Sequence, residues 1–479
     1  MRLLVTPSDS PLRGIVPGPI DSAAATYALV IAALAEGCES VLEGRGVPEL
    51  GIALALRSLG VAIESMTDQA GRRHGFRIRG TGLSGMRAPG RELDAGRSPA
   101  AMASLAAIGA SLPFATCLIG DPDVMRRVMA PIARVLRMRG GTIEGQPVLE
   151  EVTGAGRPRA GKMGPPFALG PSDIPLSPLN YELGETEAWP DMRDLAKATA
   201  LLSGIDAEGA TQLFERIVSH DVLERMLTAA GAPIQSLGPM LELEGPVRLR
   251  GLCGPLPADA NFSAAILGAA LQRPGSHVGV RRLPTRPTAL GWLEALADAG
   301  ARLNVEAKHD ALGLPAADVT LSSGLARGLA LGGERAHRVG VSIPVLASLA
   351  ARAPRGAHSQ LFDLPTFGDF DPRALQSLLE RFGASCTVQS EGLVVGGIVV
   401  GGIGQEFSQE IHIDCRGDAD LALAALMLAV GTPRSTTIDG LGDLVDSFPR
   451  IAATFRALGV DVVVLDASRT SEATATETL

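Results

Sequence analysis

The residue best suited to proton transfer in this chain is His220, which lies between Ser219 and Asp221. An imidazole titrates near neutral pH and can therefore act as a general acid or a general base. A lone histidine is also often a hydrogen-bonded structural group, so both interpretations stay open. The sequence makes His220 a candidate catalytic residue.

Few side chains other than arginines could bind an anion, since only Lys162, Lys197 and Lys308 are lysines. Any mechanism that needs several lysines is therefore excluded. Lys197 precedes the apolar run ATALL on a helix that we predict to be buried, where a solvated lysine is not expected. It either binds an anionic ligand or forms a structural ion pair with Asp194.

Other possible sites have simpler interpretations. Asp369 and Asp371 in GDFDP could form an acid pair, but a turn leading into a helix cap fits the pattern better. The glycines at 401–404 lack the spacing of a phosphate loop and are interpreted as a turn. The five cysteines contain no CxxC pair, which predicts free, mostly buried thiols. We predict no metal site and no cofactor.

A repeated pattern predicts the elements that position these residues. A helix-like segment that ends in glycine and leads into an alternating strand occurs six times along the chain. The six segments span 54–65, 132–145, 223–236, 292–305, 375–388 and 451–464. Their glycines are Gly60, Gly140, Gly231, Gly300, Gly383 and Gly459. The near-even spacing indicates six similar units.

The units also contain helices that are almost wholly apolar. Such helices are predicted at 28–37, 197–209, 263–275, 343–356 and 421–431. A helix that is apolar on every side must be buried on every side. The prediction is an α/β protein with two lobes of three units each.

Composition limits the classes of partner. The net charge of −9 and the absence of a basic stripe argue against nucleic-acid binding. No apolar run is long enough for a membrane span, and the N-terminus lacks the pattern of a signal peptide. We therefore expect no contact with a membrane and a cytoplasmic location. Residues 467–479 are polar and aperiodic, which predicts a disordered tail.

Five stretches along nearly the whole chain carry recognisable motifs: the opening LRGIVPGPIDSAAATYALVIAALAEG, then IGDPDVMRRVMAP, VSHDVLERMLTAAGA, PADANFSAAILGAAL and DSFPRIAATFRALG. Together they resemble the motifs of the enolpyruvyl transferase family, in particular EPSP synthase, and the opening stretch resembles the family's first unit. The resemblance implies a two-lobed inside-out α/β barrel of six β-α-β-α-β-β units. One lobe would span 21–241, the other 1–20 plus 242–466, with the ligand between them.

The same resemblance nominates the residues that bind substrate. The family's Asp-Lys-Ser motif, with an arginine one turn later, contacts both substrates, and it matches Asp21, Ser22, Ala23 and Tyr27. Tyr27 could stack on a ring, hydrogen-bond to it, or simply pack. Arg127 matches an arginine that contacts phosphoenolpyruvate (PEP) in the family. The other substrate-binding candidates placed by these motifs are Arg97, Arg193, Lys197 and Ser219.

Several reactive side chains of the family are replaced. The Asp-Glu-Tyr-Pro motif supplies acid/base carboxylates, and here it reads Val341-Ser342-Ile343-Pro344. The Gly-Asp-His-Arg motif becomes Gly417-Asp418-Ala419-Asp420, which loses a PEP-binding arginine. Each lost charge-assisted hydrogen bond costs about 1.5–3 kcal/mol, so tight PEP binding is not expected. Asp420 becomes a second candidate catalytic residue.

Three functional hypotheses follow. The first is a recruited enzyme that eliminates or dehydrates a small anionic substrate, a shikimate-like cyclohexene carboxylate, without PEP. The second is conventional 3-phosphoshikimate 1-carboxyvinyltransferase activity with altered contacts. The third is a non-catalytic homologue that binds a ligand or a partner enzyme. In each case we expect a monomer.

Overall fold

The structure, a computed structural model, divides the chain into two compact units. One comprises 1–20, 257–309 and 315–479 and is called the terminal unit here, and the central unit comprises 21–256 and 310–314. The residues that the structure describes are 1–44, 50–69, 71–147, 163–172, 175–183, 190–216, 219–322, 324–364, 371–389, 392–398 and 410–465. The predicted tail at 467–479, Asp369 and the glycines at 401–404 lie outside the described residues.

Within the described residues, the terminal unit contains three four-stranded sheets and the central unit three more, with elements numbered in chain order. Its strands are β1 (Arg2–Thr6), β2 (Arg13–Pro17), β15 (His277–Pro284), β16 (Arg302–Ala311), β17 (Leu314–Ser322), β18 (Ala330–Leu331), β19 (His358–Phe362), β20 (Cys386–Gln389), β21 (Gly392–Gly396), β22 (Ile411–Asp414), β23 (Thr436–Asp439) and β24 (Asp461–Leu465). They form the sheets β22-β23-β1-β24, β16-β17-β15-β2 and β18-β19-β21-β20. Because β1 pairs with both β23 and β24, the first residues of the chain fold with its last strands.

The central unit contains three further four-stranded sheets. Its strands are β3 (Glu39–Glu43), β4 (Ala62–Thr67), β5 (Arg73–Arg79), β6 (Leu93–Asp94), β7 (Thr116–Ile119), β8 (Ile143–Pro147), β9 (Met163–Leu169), β10 (Leu179–Leu183), β11 (Gly209–Glu215), β12 (Ile234–Leu237), β13 (Met240–Gly245) and β14 (Cys253–Pro255). They form the sheets β14-β3-β5-β4, β6-β7-β9-β8 and β10-β11-β13-β12. Each has one parallel pair at an edge followed by antiparallel pairs.

The α-helices fall into an inner set and an outer set. The inner helices are α1 (Ser22–Leu34), α3 (Pro99–Ala110), α5 (Pro190–Gly204), α7 (Ala260–Gln272), α10 (Ile343–Ala350) and α12 (Ala419–Ala429). The outer helices are α2 (Gly51–Ser58), α4 (Pro122–Met138), α6 (Val222–Ala229), α8 (Gly291–Asp298), α11 (Pro372–Arg381) and α14 (Ile451–Ala457). Shorter helical turns are α9 (Glu334–His337), α13 (Leu444–Ser447) and the 3₁₀ turn at Pro287–Ala289.

The inner helices form the core of each unit, as their composition predicts. Residues 24–34 of α1 and 100–110 of α3 are buried on every side. In the terminal unit, α7, α10 and α12 pack on one another. In the central unit, α3 packs against α1 and α5. The α/β prediction with three inner helices per unit is therefore confirmed for the described residues.

The six predicted glycines end the six outer helices. Gly60, for example, has a φ of +93°, and the other five have φ between +82° and +95°. Around Gly60, its N–H donates to the Arg57 carbonyl at 3.0 Å, and the Val61 N–H donates to the Leu56 carbonyl at 3.1 Å. These two hydrogen bonds define a Schellman ending, which favours glycine because a Cβ is strained at positive φ. The predicted helix–glycine–strand repeat is thereby confirmed.

The two units differ from the predicted lobes in two places. The break between residues 20 and 21 coincides with the predicted one, but the central unit continues to 256 instead of 241 and also includes 310–314, where β16 ends and β17 begins. The extension to 256 comes from β14, which pairs in parallel with β3 of the central unit at Cys253, Gly254 and Pro255. A short strand whose partner lies about two hundred residues earlier gives no local signal in the sequence.

Two further predictions can be compared with the structure. All five cysteines are free, but Cys386 and Cys415 alone are buried, while Cys253 is exposed. The prediction of mostly buried thiols is therefore wrong for Cys253, which is exposed, and for Cys38 and Cys117, which are partly exposed. Within the described ranges, no helix combines the length and the apolar character that crossing a bilayer requires.

Candidate functional site

Aspartates cap the first turns of several inner helices. The Asp21 carboxylate accepts a hydrogen bond from the Ala24 N–H at 2.9 Å, and Asp259 and Asp418 cap α7 and α12 in the same way. A carboxylate at this position satisfies free N–H groups and interacts favourably with the helix dipole. Asp21 therefore has a structural role, while its predicted substrate contact stays a prediction. The predicted ligand residue Ser22 starts α1, and its carbonyl accepts from the Thr26 hydroxyl at 2.8 Å.

His220 and Asp194 form a hydrogen-bonded pair in the central unit. The imidazole Nδ1 lies 2.8 Å from Asp194 Oδ2, and the His220 backbone N–H donates to Asp194 Oδ1 at 3.1 Å. The His220 side chain is 39% exposed and that of Asp194 is 21% exposed. A carboxylate on Nδ1 fixes the orientation of the imidazole, and Nε2 is the other ring nitrogen.

The carboxyl group of Asp194 is held in its ionised form. Burial disfavours ionisation, but the neighbouring His220 and Lys197 more than offset it and lower the pKa of Asp194 below its usual value. Asp194 therefore stays a hydrogen-bond acceptor across the neutral range. This is the state that orients an imidazole.

Lys197 lies between two glutamates instead of facing solvent. It exposes 2% of its surface, and its Nζ is 2.5 Å from Glu224 Oε1 and 3.1 Å from Glu215 Oε1. Although burial opposes it, the charges of Glu224, Glu215 and Asp194 raise the pKa of Lys197. The predicted ion pair with Asp194 is wrong in its partner, since the ion pairs of Lys197 are with Glu215 and Glu224 and Asp194 acts on it only through its charge. Binding of a substrate anion by Lys197 stays a prediction.

Ser219 and Tyr27 lie in the same cluster. The Ser219 hydroxyl donates to Glu215 Oε1 at 2.5 Å, the same oxygen that Lys197 approaches. Tyr27 is buried on α1, and burial together with the charges of Asp194, Asp21 and Glu224 raises the pKa of its hydroxyl. The phenol therefore stays protonated and can act as a hydrogen-bond donor but not as a base. The structure thus brings together Tyr27, Lys197, Ser219 and His220.

The predicted arginines lie at different positions in the central unit. Arg97 Nη1 forms an ion pair with Asp121 Oδ2 at 2.7 Å, and Asp121 caps α4. Arg127 lies on α4 and is exposed. Arg193 adjoins Asp194 on α5, and its buried Nε has no hydrogen-bond partner among the described residues. A buried donor without a partner is costly, so a ligand carboxylate at Arg193 would stabilise it.

Asp420 belongs to the terminal unit. It accepts a hydrogen bond from the Asn261 amide, and Asn261 Oδ1 accepts from the Ser342 N–H at 2.8 Å. This network joins the first turns of α7, α10 and α12. The proposed catalytic role of Asp420 stays a prediction, since the structure gives it a bridging contact between helices.

Sequence reasoning missed Glu215 and Glu224. A lysine before the apolar run of α5 signals that a counter-charge must be near. Glu215, however, ends β11 and Glu224 lies on α6, 18 and 27 residues further along the chain. The predicted cap at Asp371, in contrast, is confirmed, since its side chain accepts from the Arg373 N–H at 2.9 Å. In the ranges described, no group of three or more His, Cys, Asp or Glu side chains could hold a metal ion.

Replacing Asp194 by Asn should reduce stability in a pH-dependent way. At pH 7 we expect a loss of about 1.5–3 kcal/mol in the free energy of unfolding, the usual value for a charged hydrogen bond. The lowered folded-state pKa means that this contribution is present above the unfolded-state pKa of about 3.9 and is lost as pH falls through the folded-state pKa.

Urea titrations of both proteins from pH 7 downwards test this. The difference between them should shrink below about pH 4. Glu64→Gln, at an exposed position on β4, is the control and should show no comparable difference. A wild-type advantage over Asp194→Asn that stays constant with pH would contradict the assignment.

The sequence and the fold of this chain are similar to those of known proteins. The sequence profile of EPSP synthase (3-phosphoshikimate 1-carboxyvinyltransferase) matches residues 194–455. The 3-phosphoshikimate 1-carboxyvinyltransferase of Acidithiobacillus ferrooxidans is 30% identical over 471 residues, covering 97% of this chain and all of that protein. The match therefore extends over nearly the full length of both chains.

Solved structures agree with this result. The EPSP synthase of Acinetobacter baumannii superposes with a TM-score of 0.79 at 25% identity, covering 97% of this chain and 100% of the other. The enolpyruvyl transferase NikO from Streptomyces tendae has the same fold, with a TM-score of 0.66 at 18% identity over 96% and 98% of the two chains. These matches confirm the predicted two-lobed, inside-out α/β fold. With a family profile and a full-length relative in agreement, this chain belongs to the EPSP synthase family.

Proposed function

We propose that this protein is an EPSP synthase-family enzyme recruited to acid–base chemistry on a shikimate-type cyclohexene carboxylate, from which it removes water without PEP. The observation that carries the proposal is the hydrogen-bonded pair of His220 and Asp194. An imidazole that is oriented by a carboxylate is a general base that needs no metal or second substrate.

The proposed step balances with one histidine. His220 Nε2 takes a proton from a ring carbon while the C–O bond to a hydroxyl on the neighbouring carbon breaks. The imidazolium then gives that proton to the departing oxygen, so the products are one water and a ring with a new C=C bond. Asp194 stabilises the positive charge that His220 carries in between.

Three other side chains support substrate binding. The buried Nε of Arg193, which has no hydrogen-bond partner in the described part of the chain, suits the ring carboxylate, with Arg127 as a second cation. Tyr27, held as a neutral phenol, suits a ring hydroxyl as a hydrogen-bond donor. The proposal extends to a cytoplasmic, monomeric protein.

Conventional enolpyruvyl transfer is the second candidate, favoured by the 30% identity over nearly the full length of a 3-phosphoshikimate 1-carboxyvinyltransferase. The replaced motifs argue against enolpyruvyl transfer. Residues 341–344 carry no acid/base carboxylate, and residues 417–420 carry no arginine.

Calorimetric titration with shikimate, shikimate 3-phosphate and PEP, singly and paired, separates the two candidates. We expect a ring acid to bind with no effect of PEP, and mass spectrometry of the incubated ring acid to show the loss of one water. Synergistic binding of shikimate 3-phosphate and PEP with release of phosphate would instead establish enolpyruvyl transfer. Binding of none of the three would favour a non-catalytic homologue.

A further inference from the structure

The segment that carries His220 is attached to helix α5 at two positions. Asp194 and Lys197 are three residues apart on α5, a spacing that places them on the same side of a helix. Asp194 bonds to His220, and Lys197 bonds to Glu215 and Glu224, which lie just before and just after that segment. Lys197 therefore connects α5 with the end of β11 and with the first turn of α6.

Ser219 extends this connection towards His220. Its hydroxyl donates to Glu215 Oε1 at 2.5 Å, so a single carboxylate oxygen links Lys197 to the residue that precedes His220. Ser219 is itself buried. The path from Lys197 through Glu215 to Ser219 is thus made of short contacts inside the central unit.

The charges in this cluster oppose the binding of an anion by Lys197. Its ammonium is almost fully buried and lies beside two glutamates, with Asp194 also near enough to raise its pKa. Glu224 is equally dependent on the lysine, since its Oε1 bonds to Lys197 Nζ and its buried Oε2 has no hydrogen-bond partner among the described residues. An anionic ligand at Nζ would have to displace a buried carboxylate or lie beside it, which is electrostatically unfavourable.

We infer that Lys197 is a positioning residue for His220 and not a receptor for the substrate anion. Together with Glu215 and Glu224 it forms a buried three-residue tie that fixes the His220 segment against α5, where Asp194 meets the imidazole. The inference rests on the proposed function insofar as His220 is the base, but the tie itself can be tested without turnover.

The test compares Lys197→Met with Lys308→Met, which removes an exposed lysine on β16. Three quantities are measured: the ¹⁵N chemical shifts of the His220 ring without ligand, the Kd of the ring acid, and kcat. For Lys197→Met we expect changed His220 shifts, a kcat about 10- to 100-fold lower, and a Kd within about threefold of wild type. Lys308→Met should match wild type in all three.

The opposite pattern overturns the inference. A Kd about tenfold or more higher, with unchanged His220 shifts, would make Lys197 an anion receptor. Should Lys197→Met not fold, Glu224→Gln decides, since it keeps Lys197 paired with Glu215. If Lys197 binds the substrate anion, removing the competing charge of Glu224 should lower the Kd of the ring acid in Glu224→Gln. If Lys197 positions His220, this variant should keep the wild-type Kd and change the His220 shifts.

Failure of the proposed function is distinguishable from failure of the inference. If wild type neither binds nor converts a ring acid, the proposed function fails and the ligand-free His220 shifts alone decide the role of Lys197. Unchanged shifts in folded Lys197→Met would then overturn the tie, and changed shifts would support it.

Discussion

Replacing His220 by Gln should lower kcat by about 10²–10⁴, the usual contribution of a general acid–base group. Glutamine can still hydrogen-bond to Asp194, but its amide cannot accept and return a proton at neutral pH. The fold and the binding of the ring acid should therefore persist while turnover is lost. Steady-state kinetics combined with calorimetric Kd values measure both quantities on the same preparation.

The chain offers a matched control for this substitution. His309 Nε2 lies 3.0 Å from Asp318 Oδ1, and its side chain is 36% exposed, so it resembles His220 in partner and exposure. It lies on β16 in the terminal unit, whereas Tyr27, Lys197, Ser219 and His220 all belong to the central unit. His309→Gln should leave kcat unchanged. Equal kcat for wild type and His220→Gln would remove His220 from the chemistry and with it the proposed mechanism.

Gly80→Ala should be one of the most destabilising single-methyl substitutions in the central unit. A Cβ on Gly80 would lie 2.1 Å from the Ala35 carbonyl oxygen and 2.4 Å from that of Ala32, at the end of α1. Neither oxygen can swing away, because the helix backbone holds both. We expect a loss of about 3 kcal/mol in the free energy of unfolding, the upper part of the range for overpacking.

Local hydrogen bonds also keep the chain at Gly80 from moving aside. Its N–H donates to the Cys38 carbonyl at 2.9 Å, and the next residue, Thr81, donates to the Ala33 carbonyl at 3.0 Å. Gly90→Ala is the matched control, since a Cβ there would meet no atom within 4 Å. Urea denaturation should show a clearly lower free energy of unfolding for Gly80→Ala than for Gly90→Ala. A Gly80→Ala protein as stable as Gly90→Ala would show that α1 and β5 can shift relative to each other at little cost.

Much of the fold follows from local chemistry that is visible in the sequence. A Schellman ending needs a glycine and two hydrogen bonds within six residues, so Gly60 and its five counterparts could be predicted from the sequence alone. The inner helices follow from their apolar composition, and the cap at Asp371 follows from the GDFDP pattern of the sequence. In each case the determining contacts lie within one helical turn of the residue.

The site could be predicted only in part, because its contacts join distant residues. The chemistry of His220 made it a candidate. Its hydrogen bond to Asp194, however, joins residues that are 26 positions apart, one on α5 and the other just before α6. The ion pairs of Lys197 with Glu215 and Glu224 depend in the same way on how α5, β11 and α6 pack together. The extension of the central unit to β14 is a third example, since its partner β3 lies near the other end of that unit's sequence.

The glycine endings of the outer helices have a consequence for how this family can change. The residues that specify the framework, such as Gly60 and Gly459, are separate from those that carry chemistry, such as Asp194 and His220. Substitutions in the second group therefore leave the helix endings intact, and their cost in stability is limited to local contacts such as the Asp194–His220 bond. A lineage can exchange one reaction for another on this scaffold without first losing the ability to fold, and a protein engineer can use the same separation to install new side chains around α5.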